Sequence, residues 1–289
     1  MKNVAPSVCP VCDTALYAGL TDWHFRCHHC SYEKATLEPV INQESAYQEL
    51  DEDVREAGLK FLRLQNFAAI MDVLRELKPD GGKLLDVGCA HGWFLEAASG
   101  HFEVLGLEPD EVVCNATKAR GLNARLGYFP SHLADAETFD VIIFNDVFEH
   151  IPESRDTLQA CYARLRPGGI LVLNLPSSDG IFYKLAKMLK RVGVIGFFER
   201  LWQKDLPSPH LHYFNSRNIS NLLAKQQFSL LAKGDLPTIR LSGLYARISY
   251  AGKQSRLVNL LIYCGVSLAL PIIRWLPSDI TYVVAQRQD

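Results

Sequence analysis

The sequence predicts an α/β protein organised on a doubly wound, mostly parallel sheet, and three observations carry that expectation. Leu84, Leu85 and Val87 form a short apolar run leading into a glycine-rich turn, Asp86-Val87-Gly88-Cys89-Ala90-His91-Gly92, and a helical pattern opens at Phe94. The next apolar run, Val104 to Leu107, closes on Glu108, about 20 residues beyond the turn, where a carboxylate can accept hydrogen bonds from both hydroxyls of a ribose. Two further runs follow, Phe139 to Phe144 and Ile170 to Leu175, each bounded by turn signals. A glycine-rich strand-to-helix turn alone is equally a tight βα turn without a ligand. Joined to Glu108, Gly88 and Gly92 read as a place where a nucleotide-type ligand approaches the backbone at the carboxyl end of a parallel strand.

Taken in order, the elements begin with two Cys-x-x-Cys knuckles, Cys9/Cys12 and Cys27/Cys30, separated by fourteen residues. Four thiolates at this spacing close a tetrahedral structural zinc site with no open position, and the metal would supply the folding free energy that so short a module lacks. Iron, or a pair of disulfides, would use the same cysteines. His28 and His29 read as solvated neighbours of the knuckle. We place this module at residues 1–36 and a helical segment at 37–82. In it Leu59, Leu62, Phe67, Ile70, Val73 and Leu74 recur at helical spacing between Glu44 and Leu77. Tyr47 and Phe61 in that segment either face a ligand or belong to the core or surface.

The main domain, 83–289, starts at the glycine-rich turn. After the run ending at Phe144 come Asn145-Asp146 and then Glu149-His150 before Pro152. A histidine there has an ordinary pKa near neutrality, as a general base requires; it can equally cap or brace the turn. Asp146 and Glu149 can orient its imidazole. Beyond the loop Ser177 to Gly180, residues 182–202 mix aromatic, apolar and basic side chains, as in a membrane-surface helix or a lid with solvated charges. A lid insertion is therefore expected over about 177–215, ending in Pro209-His210-Leu211-His212-Tyr213 and a helix start at Asn215-Ser216. Strands are expected at Phe228 to Lys233 and Ile280 to Ala285. Between Arg256 and Arg274 lie seventeen uncharged residues, too few for a clean membrane span and interrupted by Asn259 and Pro271, so a buried or interfacial helix is expected.

These motifs together resemble the class I S-adenosylmethionine-dependent methyltransferases. LLDVGCAHG is similar to their first motif, GLEPD to the acidic end of their second strand, FDVIIFNDVFEHI to their fourth, and LRPGGILVLNLP to the strand that follows. The resemblance is close from Lys83 to Pro176. It is nearest the subgroup of ubiquinone-biosynthesis O-methyltransferases and natural-product and glycan methyltransferases, which share the Glu-His pair. Ala90 stands where many members have glycine.

The resemblance implies a seven-stranded Rossmann-like sheet whose last strand is an antiparallel edge, and S-adenosylmethionine as cofactor. It implies cofactor contacts at Asp86, Gly88, Cys89, Ala90, Gly92, Glu108, Pro109 and Asn145, with Phe129 either lining the adenine pocket or packing in the core. For catalysis it implies His150, Glu149 and Asp146, with His212 either near the acceptor or purely structural; some relatives bind a divalent cation beside these carboxylates. The acceptor would be a small molecule, a sugar or a lipid-linked compound, methylated on oxygen or, second, on carbon.

Composition sets the outer bounds. The chain has 289 residues, enough for one large domain with a small module. A formal charge of -2 with 21% charged residues gives no basic footprint for nucleic acid. An RNA methyltransferase using the ribbon as a clamp is thereby disfavoured, as it is by the lack of an Asn/Asp-Pro-Pro-Tyr-like motif after Phe144. A non-catalytic scaffold would show an eroded loop, whereas Asp86, Gly88, Gly92 and Glu108 are present. Of eight cysteines, four form the metal pattern and four fall in segments that read as buried, so a reducing cytoplasm is the expected compartment, with peripheral membrane contact an open option.

Overall fold

The computed structural model describes residues 8–40, 52–251 and 255–289. The described chain opens on a small antiparallel meander, β1 (Tyr17–Ala18), β2 (His24–Arg26) and β3 (Glu33–Ala35). Helix α1 (Glu52–Leu77) follows; Tyr47 lies outside the described residues, and Phe61 is 40% exposed. Phe67, Ile70, Met71 and Leu74 recur on one face of α1 and pack over Leu84 and Phe94, burying that apolar stripe against the sheet.

The sheet is laid down by β4 (Lys83–Val87), α2 (Trp93–Ala98), β5 (Glu103–Glu108), α3 (Glu111–Ala119), β6 (Ala124–Leu126), β7 (Phe139–Asn145), a 3-10 turn at Phe148–His150, α4 (Ser154–Arg164) and β8 (Leu165–Pro176). Leu84 and Leu85 are both fully buried although they point to opposite faces, because helices cover both sides. Asp110 starts α3, its carboxylate accepting from the Val113 amide at 3.0 Å, which satisfies one of the donors a helix end leaves unpaired. β8 starts five residues before the expected Ile170, because Leu165 already pairs with Phe139 and the Pro-Gly-Gly stretch is absorbed as an irregularity in the ladder.

The remaining elements are α5 (Ile181–Arg191), α6 (Gly196–Leu201), β9 (His212–Tyr213), α7 (Ser216–Lys225), β10 (Phe228–Leu236), α8 (Leu244–Ala251), α9 (Arg256–Ile273) and β11 (Ile280–Arg287). Asn215 caps α7 reciprocally with Asn218. The strand order is β10-β11-β8-β7-β4-β5-β6, with β11 antiparallel to both neighbours and the other pairings parallel. From β4 the chain winds outward through β5 and β6, then returns to the other side of β4 with β7. That reversal opens a crevice at the carboxyl ends of β4 and β7, where such sheets bind ligands.

Three features differ from expectation. The cysteine module is no appendage: β3 pairs with β9, so the 207–215 segment completes its sheet, and Cys9, Val11, Leu16, Cys27 and Tyr32 join the main core with Phe148 and Phe214. Of the two readings expected for helix α9, buried or interfacial, the buried one is corrected: only Asn259 and Leu270 are buried, since its partner α8 covers a single face. Cys264 on α9 is accordingly exposed, whereas Cys89, Cys114 and Cys161 are buried.

Candidate active site

Between β4 and α2 the backbone turns through left-handed torsions at Gly88 (φ 70°), Ala90 (φ 44°) and Gly92 (φ 73°). A Cβ at Gly88 would stand 2.6 Å from Val147 Cγ2, so glycine is required there for space as well as torsion. Ala90, the departure from the commoner glycine, takes up its strained torsion with its amide donating to Glu108 Oε2 at 2.8 Å. The other oxygen, Oε1, accepts from the Asp110 amide at 2.9 Å. Burial raises the Glu108 carboxyl, and these two amides work against that rise. Each oxygen retains capacity for a second bond, so the carboxylate can order the loop and still accept ribose hydroxyls.

Asp86 is buried at the crevice floor, where desolvation pushes its carboxyl up to about 8; Asn145 Nδ2 donates to Oδ1 at 3.4 Å and opposes that shift. This contact joins the ends of β4 and β7 across the switch point. Cys89 directs its thiol into a small core with Leu95 and Cys114, so the loop side offers only its backbone. Pro109 sits between Glu108 and the cap of α3. Phe129 packs edge-on against Phe144 and belongs to the core.

Immediately beyond β7, Asp146 (φ 54°) donates its amide to Asn174 O at 2.9 Å and its carboxylate lies 3.5 Å from Arg63 of α1. Glu149 is wholly buried, and neither of its carboxylate oxygens meets a hydrogen-bond donor. Desolvation, reinforced by the charge of Asp146, raises its carboxyl well above the ordinary range. Facing Glu149 Oε1 are two imidazole nitrogens, His150 Nε2 at 3.8 Å and His210 Nε2 at 3.9 Å. His150 Nδ1–H donates to Pro209 O at 2.9 Å, which makes Nε2 its basic nitrogen. The Gln203 amide nitrogen donates to His210 Nε2 at 2.8 Å, and burial holds His210 neutral.

The structure thus brings His210, rather than His212, to Glu149 and His150. His212 Nε2–H donates to Ile151 O at 2.8 Å and its Nδ1 accepts from Tyr32 OH; burial lowers its pKa to about 4. It locks the cysteine module to the segment just after the turn at Phe148–His150. His210 was visible in the sequence only as one of two histidines two residues apart, and no local pattern distinguishes the member that β9 pairs from the one that precedes it.

The four cysteine sulfurs converge, with Cys9 to Cys30 at 3.5 Å and Cys12 to Cys27 at 3.4 Å. These separations are far beyond a disulfide bond and near the ~3.8 Å edge of a tetrahedron with ~2.3 Å metal–sulfur bonds. Thr14 Oγ1 and the Cys30 amide reach Cys27 Sγ at 3.2 and 3.4 Å; against the burial that would raise it, these bonds bring that thiol down to about 6. The donor set therefore fits a closed divalent site.

Fold and crevice define the class: a class I S-adenosylmethionine-dependent methyltransferase. A family model described as a methyltransferase domain matches residues 59–233, and the chain belongs to that family. Among curated relatives, the human mitochondrial ubiquinone biosynthesis O-methyltransferase is 32% identical over 116 residues, covering 36% of this chain and 31% of the relative. The ubiquinone biosynthesis O-methyltransferase of Actinobacillus pleuropneumoniae is 35% identical over 105 residues, covering 32% of this chain and 44% of the relative. The chain thus spans less than half the length of these two curated relatives. A SAM-dependent methyltransferase of Thermotoga maritima superposes with a TM-score of 0.54 at 13% identity, covering 82% of this chain and 95% of that one. A geranyl diphosphate C-methyltransferase of Streptomyces coelicolor does so with 0.52 at 13%, covering 87% and 90%. At these identities the solved structures show the fold.

Proposed function

We propose that this protein transfers a methyl group from S-adenosylmethionine to an oxygen of a small-molecule, sugar or lipid-linked acceptor. The observation that carries the reading is the Glu149, His150, His210 cluster, placed one turn beyond the crevice that the glycine-rich loop and Glu108 frame. The names of the curated relatives support oxygen as the acceptor atom.

Methyl transfer is an in-line displacement, so the protein has to align the acceptor and remove its proton. The loop from Gly88 to Gly92 would hold the methionine end of the cofactor and Glu108 the ribose. His150 is positioned as the base. The Pro209 carbonyl fixes its tautomer and ring orientation, and Nε2 takes the acceptor proton. The Glu149 carboxyl, 3.8 Å from Nε2, would orient the ring, and the positive charge that forms on the imidazole would favour its ionised form against the burial that raises it.

One further observation favours a divalent cation at the same place. A fully buried carboxylate without a donor is expensive, by several kcal/mol, and two imidazoles with one carboxylate are a donor set that suits a transition-metal ion. Glu149, His150 and His210 would hold it, His150 through the same Nε2 that otherwise serves as base, so a bound ion would replace that role by lowering the pKa of an acceptor hydroxyl. The four cysteines would hold a structural zinc that fixes β3, whose pairing with β9 holds the segment carrying His210 and His212.

The test is transfer of labelled methyl from S-adenosylmethionine by purified protein into a lysate separated into lipid, glycan, small-molecule, RNA and protein fractions. Label in a lipid, glycan or small-molecule product, lost in His150→Ala, is expected. Label confined to RNA or protein would overturn the acceptor class, and no label despite bound cofactor would overturn the reading.

A further inference from the structure

The strands β10 and β11 are hydrogen-bonded neighbours, and Leu236 pairs directly with Ile280, yet residues 237–279 separate them. That insertion carries α8 and α9. It leaves the sheet at the edge where Pro176 pairs with Ile280, which is also the edge carrying the ends of β4 and β7. It is tied to the site: Asn66 of α1 donates to Pro237 O at 3.2 Å, and Arg63, one turn earlier on α1, reaches Asp146.

Helix α9 has 18 residues, a mean hydropathy of 1.8 and no acidic side chain; eleven of its residues are exposed and only Asn259 and Leu270 are buried. At ~100° per residue, exposed Leu257, Val258, Leu260, Leu261, Ile262, Leu268 and Ile272 sweep an arc of about 200°. On the remaining side, Ser255, Asn259, Tyr263 and Ser267 form a stripe at four-residue spacing, flanked by Arg256 and Arg274. Tyr263 meets Tyr245 of α8 edge-on, so this stripe faces the protein. Trp275, just past the helix, is 90% exposed.

From this geometry we infer that α9 seats the protein on an anionic lipid bilayer, its apolar arc among the acyl chains and Arg256 and Arg274 at the headgroups, so that the acceptor is drawn from that surface. The inference deepens the proposed function by naming an amphiphilic acceptor and rests on that reading for the acceptor alone. A second copy of the chain fits less well, because a helix pair buries a narrow seam of about two positions in seven and leaves most of such an arc wet. Crossing the bilayer is excluded by topology. Both ends of the insertion start from one strand pair, and α8, at about 12 Å, is far too short to serve as the other arm across ~30 Å of hydrocarbon. The protein therefore lies on the membrane.

Adjoining α9, helix α5 continues the surface. Ile181 and Phe182 line one cleft with Leu270 and Ile273, while Leu185 and Met188 are exposed and Lys190 and Arg191 end the helix. Neither helix contains an acidic side chain, and Lys190, Arg191, Arg256 and Arg274 stand at their ends; Asp179 and Asp279 at the start of α5 are engaged by Lys184 and by the Phe182 and Tyr183 amides, so the basic balance complements an anionic surface.

Vesicle flotation tests the inference, using the full chain with phosphatidylglycerol-containing or pure phosphatidylcholine vesicles. The wild type is expected to float with the anionic vesicles. Leu261→Glu/Leu268→Glu, which alters two side chains 63% and 81% exposed, is expected to weaken flotation at least tenfold while cofactor affinity by calorimetry stays unchanged. Trp275 supplies a second readout, since the other three tryptophans are buried: a blue shift on adding vesicles, lost in Trp275→Phe. A wild type that does not float, or a double variant that floats as well, overturns the inference. So does a dimer in lipid-free solution that the double variant dissociates without any wild-type flotation. Flotation without methyl transfer would instead remove the proposed function and leave the membrane contact standing.

Discussion

The cofactor side and the acceptor side of the crevice are built in opposite ways. On the cofactor side, one short stretch from Lys83 to Glu108 supplies strand, turn and carboxylate, and its decisive contact, Glu108 to the Ala90 amide, spans eighteen residues. On the acceptor side, Glu149 and His150 from the turn after β7 meet Pro209 and His210 from the segment that leads into β9. The strand that follows them is held by Tyr32 of the cysteine module, 180 residues from His212 in the chain. A local motif places its own ligands; a site assembled from three distant segments depends on every segment being held. The two sides should therefore fail separately.

The largest effect is expected where the acceptor side loses its brace. Cys27→Ser should abolish methyl transfer, lower the melting temperature and reduce the zinc content, which we expect to be one ion per chain by elemental analysis of the dialysed wild type. Retained activity in a zinc-free variant would show that the module does not hold the acceptor side.

Next is His150→Ala, which should slow transfer by about 10²- to 10⁴-fold, the usual worth of a positioned general base, with cofactor affinity preserved. Rescue of the rate by added imidazole would sharpen the assignment. If transition-metal ions bind the apoprotein tightly, and Glu149→Gln and His210→Ala both abolish that binding, the cluster is a metal site.

Glu108→Ala acts on the other side. Two backbone amides and the ribose lose a charged acceptor, each such bond contributing about 1.5–3 kcal/mol, so affinity for S-adenosylmethionine should fall about 10- to 100-fold by calorimetry. The Glu149–His150–His210 cluster should be untouched.

The smallest effect is a pH dependence. Burial holds His212 neutral down to about 4, whereas in the unfolded chain it titrates near 6.5. The unfolded state binds the extra proton in that window, so stability present above pH 6.5 declines as pH falls and is lost through pH 4. His212→Gln should flatten part of the fall in melting temperature, with His210 supplying the rest. Glu33 adds a lower step. Burial opposes its charge, but His24 and Lys187 hold its carboxyl at about 2, so its contribution is present above pH 4.5 and disappears toward pH 2.

The same contrast explains what the sequence revealed. The strand, turn and Glu108 were legible because periodicity, glycine torsion and residue spacing are local quantities. The identities of Glu149 and His150 were legible too, but their partners were not. Choosing His210 over His212 requires knowing that β9 pairs with β3 and points His212 at Tyr32. The cysteine module read as separate because its cysteines are contiguous, while its burial against Phe148 and Phe214 is a tertiary fact. Helix α9 was expected to be buried or interfacial; composition gave its apolarity, and only the packing of α8 shows which face is covered.

The independence of the two sides is tested most directly by titrating S-adenosylmethionine calorimetrically into the wild type, Glu108→Ala and His150→Ala. One site per chain is expected, weakened about 10- to 100-fold by Glu108→Ala and unchanged by His150→Ala. Equal losses in both variants, or no binding by the wild type, would contradict it.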